Sequence, residues 1–129
     1  THAFHDGLSG RLSGVALYDR DIWLDELSQL APLPPLVMLS ACSGGSSLVF
    51  TGDEHVSLTM TCLMAGAQTV VGTIWPLLDE QAPDLIHRFY RHWQSGLSVS
   101  RSLAMAQREA FESGQDVVHW GAFLCIGEP

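Results

Sequence analysis

Leu36-Val37-Met38-Leu39-Ser40-Ala41-Cys42-Ser43-Gly44-Gly45 is the stretch whose reading decides the fold. Its first four residues are apolar without alternation, the pattern of a strand covered on both faces, as in parallel sheets. Pro34 and Pro35 precede it and Gly44 and Gly45 close it, so residues that break regular structure punctuate both ends. In open α/β sheets, reactive groups collect beyond the carboxyl ends of strands, where loops can be shaped without disturbing the core. The stretch therefore predicts a buried strand that delivers Cys42 to a sheet edge.

Upstream, residues 1–11 carry His2, Phe4, His5, Asp6, Gly7 and Gly10 with no helical period, and read as a flexible loop following a strand that the fragment lacks. Residues 14–18 form a short apolar run and a predicted strand. Asp21 is placed to cap a helix with Ile22, Leu24, Leu27 and Leu30 on its apolar face, ended by the prolines at 32, 34 and 35. Downstream, residues 43–51 are small and loop-like. Asp53 and Glu54 then put negative charge at a helix start that should run through Leu58 and Cys62 to Ala65, with Gly66 as its stop.

Residues 68–75 predict a second buried strand, β-branched at Thr69, Val70, Val71, Thr73 and Ile74 and closed by Pro76. Asp79 or Glu80 begins a long helix with Pro83 in its first turn, where a missing N–H is cheap. Leu85, Ile86, Phe89, Tyr90 and Trp93 share its face, and Gly96 ends it. A further helix capped by Ser98 or Ser100 turns Leu103, Ala106 and Ala110 inward, and residues 120–126 read as a last strand. Strands alternating with helices predict an α/β fold: one domain over residues 1–129, mainly a parallel sheet covered on both faces.

Composition bounds the function. Of 129 residues 47% are hydrophobic and 16% charged, the balance of a buried globular core rather than a disordered chain. The net charge of −8 comes from 14 acidic and 6 basic residues, all six of them arginine. Nucleic acid is excluded as a direct partner, because phosphate contacts need clustered positive charge. No apolar run approaches the roughly 20 residues that span a bilayer, and no signal peptide is visible. Cys42, Cys62 and Cys125 are an odd, widely spaced set, which suits reduced thiols in a cytoplasmic compartment and suggests neither a disulfide framework nor a metal site. The chain opens on Thr1 and is read as the C-terminal part of a longer protein.

A free thiol with a pKa near 8.5 is only a few per cent ionised at neutral pH, so Cys42 becomes a nucleophile only beside a group that stabilises the thiolate. His2 and His5 stand about forty positions upstream, where a loop after a neighbouring parallel strand would face the same sheet edge; His2 is preferred. Ala41-Cys42-Ser43-Gly44 also keeps the Ala-Cys-x-Gly part of the caspase pattern, whose histidine lies about 50 residues upstream.

With these residues the sequence resembles a CHAT domain, the caspase-like peptidase module associated with tetratricopeptide repeats and similar to the separase protease domain. The likeness runs through Thr1-His2, Leu39-Ser40-Ala41-Cys42, Gly52-Asp53-Glu54, Ala65-Gly66-Ala67, Trp75-Pro76, Asp79-Glu80, Phe89-Tyr90, Trp120-Gly121-Ala122-Phe123 and Ile126-Gly127. It implies a caspase-like three-layer sandwich, hydrolysis of peptide bonds in protein substrates and an upstream repeat region in the same protein; it implies no cofactor. By that resemblance Cys42 is the nucleophile, His2 its partner, and the backbone N–H groups of Ala3 and Cys42 form the oxyanion hole. Two positions depart from the pattern. Ala3 stands where many members have glycine, and Ser40 where caspases have the glutamine that grips an aspartate side chain, so caspase-like cleavage after Asp is not expected. Asp79 takes, by position, the place of an acidic residue that separase-like relatives use for a basic P1 side chain; its competing role is to cap the following helix.

Cys62 and Cys125 are read as core, His87 and His92 as surface. A nucleotide-binding module fails because the Gly/Ser loop after Cys42 lacks the lysine of a P-loop, and a serine hydrolase fails for want of Gly-x-Ser-x-Gly. The surviving alternative is a catalytically silent CHAT-like scaffold or switch.

Overall fold

In the computed structural model, residues 2–6, 12–39, 53–75, 77 and 80–128 are described. The chain begins with an antiparallel meander of β1 (His2–Asp6), β2 (Leu12–Ala16) and β3 (Asp21–Trp23), in register from His2↔Ala16 to Asp6↔Leu12 and from Gly14↔Trp23 to Ala16↔Asp21. This corrects two expectations. Residues 2–6 are strand rather than loop, and residues 21–23 are strand before a shorter helix, α1 (Leu24–Gln29). In both places a neighbouring strand supplies ladder hydrogen bonds that a one-dimensional pattern does not reveal. The Trp23 N–H donates to the Glu26 carboxylate at 3.1 Å, which satisfies one of the orphan donors at the start of α1.

The central stretch forms the expected parallel strand, but a half-buried one rather than the strand covered on both faces that its apolar run predicts. β4 (Leu36–Leu39) pairs in parallel with β5 (Thr69–Thr73), from Leu36↔Thr69 to Leu39↔Gly72, and α2 (Asp53–Met64) lies between them in sequence. Gly66 ends α2 with a φ of 102°, and the Ala67 N–H reaches back to the Cys62 carbonyl at 3.1 Å, the left-handed stop expected of glycine.

α3 (Pro83–Gln94) starts later than expected. Its N-cap position is Ala82, with Pro83 at the first helical position, after the expected start at Asp79 or Glu80. α4 (Val99–Glu112) is capped by Ser98, whose side chain accepts from the Arg101 N–H. α3 and α4 form an antiparallel hairpin: Asp84 near the start of one meets Gln115 beyond the end of the other, while Arg91 and His92 meet Glu109. Such a pair returns the chain to the sheet end opposite to the one a single helix would reach. After the short α5 (Val117–Trp120), β6 (Phe123–Gly127) accordingly runs antiparallel to β5. The sheet order is β4-β5-β6. Among the described strands only β4–β5 is parallel, so the architecture is mixed α/β rather than mainly parallel.

The core lies where the α3–α4 hairpin covers β5 and β6. Leu85 and Phe89 pack with Leu103, Ala106, Ala110 and Val71, all nearly inaccessible, as the helical spacing predicts. Trp93 stays at the rim, stacked 6.4 Å from Phe89. A second cluster, Cys62, Ala67 and Val70, joins α2 to β5 with Leu27, Leu33 and Val37 against it. No helix among the described residues is long and apolar enough to cross a membrane.

Candidate functional site

Because β4 and β5 are parallel, both release the chain at one end of the sheet, and their last paired residues are Leu39 and Gly72. Cys42 follows Leu39 by three positions in the sequence. Cys42 and Asp79 themselves lie outside the described residues. For His2 and Ala3 the backbone is described: His2 opens β1 opposite Ala16, and Ala3 stands opposite Val15. Among the described residues no residue other than glycine has a positive φ, so the Ala3 backbone carries no left-handed strain.

The other cysteines match their expected roles. Cys62 is 1% exposed and Cys125 half-buried, and burial pushes both thiols above the usual range, which disfavours the thiolate a nucleophile needs. His87 is exposed. His92 is not a free surface residue: its Nε2 lies 2.9 Å from the Glu109 carboxylate, in a cluster that also holds Arg88 and Arg91.

An apolar groove of about 330 Å³ lies along β4. All four β4 residues line it, facing Val15, Ile22 and Leu27, with Cys62 also on its wall. Among the described strands β4 is an edge of the sheet β4-β5-β6, and its four apolar residues are only half-buried where β5 is almost wholly buried.

Trp75 and Gln81, which flank the exit from β5, make contacts that sequence reasoning missed. The Trp75 indole N–H donates to the Val118 carbonyl at 2.9 Å, and Gln81 Nε2 lies 3.0 Å from His119 Nε2. Both partners belong to α5, which the sequence reading absorbed into a loop and a strand starting at Trp120. The signal was present in Asp116, whose side chain accepts from the Val118 N–H at 3.0 Å, but the β-branched pair Val117-Val118 hid the helical turn. Leu77, between the two ties, is 3% exposed and belongs to the main core.

Comparison with known proteins gives this arrangement a family. Residues 1–128 match the CHAT domain. Tetratricopeptide repeat protein 28 of Homo sapiens is 32% identical over 98 residues, 74% of this chain and 4% of that protein. Its counterpart in Mus musculus is 35% identical over 95 residues, 71% of this chain and 4% of that protein. The chain thus matches a small part of two relatives named for tetratricopeptide repeats, the association that the resemblance implies. On the full-length match and these relatives, the chain belongs to the CHAT domain family.

Proposed function

We propose that this CHAT domain is a cysteine endopeptidase of the caspase and separase type, acting on protein substrates through a Cys42–His2 dyad. The observation that carries the reading is the parallel pair β4–β5, which opens its carboxyl end three residues before Cys42 in a chain of the CHAT family. His2 accepts the Cys42 proton as the thiolate attacks the scissile carbonyl, and the backbone N–H groups of Ala3 and Cys42 hold the developing oxyanion. His2 then returns the proton to the leaving amine, and water hydrolyses the thioester to regenerate the thiol. Asp79 forms a pocket for a basic P1 side chain through charge-assisted hydrogen bonds. That α3 begins at Pro83, four positions beyond Asp79, supports this role over helix capping.

The fold is a caspase-like three-layer sandwich, with residues 1–129 forming the peptidase domain. The half-buried apolar edge of β4 and the groove beside it support a further strand pairing there. The domain works in the cytoplasm, joined to a tetratricopeptide-repeat region of the same protein. Profiling the full-length protein on a peptide library tests the reading: cleavage after Arg or Lys is expected, lost in Cys42→Ala and His2→Ala and broadened in Asp79→Asn. A preference for Leu or Met retires the Asp79 pocket, and cleavage that survives Cys42→Ala retires the peptidase assignment.

A further inference from the structure

We draw no further inference here: the strongest candidate, the outer edge of the apolar strand β6 with its exposed Ile126, is an unpartnered edge among the described strands, and nothing in the structure shows what covers it.

Discussion

Replacing Gly127 by alanine should unfasten the end of the β5–β6 ladder. Gly127 has a φ of 123° and pairs with Thr69, and an added Cβ would lie against the Gln68 carbonyl oxygen well inside van der Waals contact and 2.9 Å from the Thr69 Cα. Both neighbours are backbone, so the strain cannot be relieved by a side-chain rotation. The left-handed conformation alone costs an alanine about 1–2 kcal/mol. Separating the strands also sacrifices two bonds, Glu128 N–H to the Gln68 carbonyl at 2.9 Å and Thr69 hydroxyl to the Glu128 carbonyl at 2.7 Å, each worth about 1 kcal/mol net. The reduced freedom of the unfolded chain returns roughly 0.4–1 kcal/mol, which leaves a loss of about 2–4 kcal/mol. Gly114 supplies the comparison: its φ is 76°, but a Cβ there meets nothing within 4 Å, so Gly114→Ala should lose only about 1 kcal/mol by the same conformational strain. Urea unfolding followed by tryptophan fluorescence measures both, at a common m-value. Equal losses for the two variants, or a loss below about 1 kcal/mol for Gly127→Ala, would refute the close approach of β6 to the start of β5.

Phe89→Ala removes a side chain 1% exposed at the centre of the α3–α4 core and should cost about 3–5 kcal/mol in the same urea assay. Alkylation at neutral pH should modify Cys42 ahead of Cys62 and Cys125, whose thiols burial pushes upward, and peptide mapping would reveal any contrary order. A hydrogen bond from Gln115 and the Arg88 guanidinium hold the Asp84 carboxyl below its usual range; at Glu109, burial pushes the carboxyl up, but His92 and Arg91 outweigh it and hold it low. Folded values below the unfolded ones place this stabilisation above about pH 4.5, and it is lost as pH falls through the folded values. Glu109→Gln should therefore flatten the acid limb of stability against pH, by less than about 1 kcal/mol because these groups are partly exposed; an unchanged limb would contradict it.

What was legible in the sequence follows from what local pattern encodes. Leu36-Val37-Met38-Leu39 has no alternation and became β4, paired in parallel as expected. Gly66 and Ser98 marked helix ends through conformational freedom and capping chemistry that act within a few residues. The failures lie where a distant neighbour decides. His2–Asp6 carries no strand signature of its own and becomes one by pairing with Leu12–Ala16. The antiparallel direction of β6 depends on α3 and α4 forming a hairpin, which no residue of β6 announces. Of the candidate site, the strand-end pattern pointed to Cys42 and the upstream spacing to His2, and family likeness added Ala3 and Asp79 by position, whereas the bonds of Trp75 and Gln81 to α5 join residues about forty apart and could be read only from three-dimensional structure.

The central claim is that Cys42 is a peptidase nucleophile served by His2, and covalent capture tests it most directly. The full-length protein would be treated with a peptidyl acyloxymethyl ketone carrying a basic P1 residue, and the adduct located by mass spectrometry. The account predicts a single thioether on Cys42, abolished by Cys42→Ala and slowed by about 10²- to 10⁴-fold in His2→Ala, the range general acid–base catalysis supplies. Labelling of Cys62 or Cys125 instead, or a rate indifferent to His2, would contradict it.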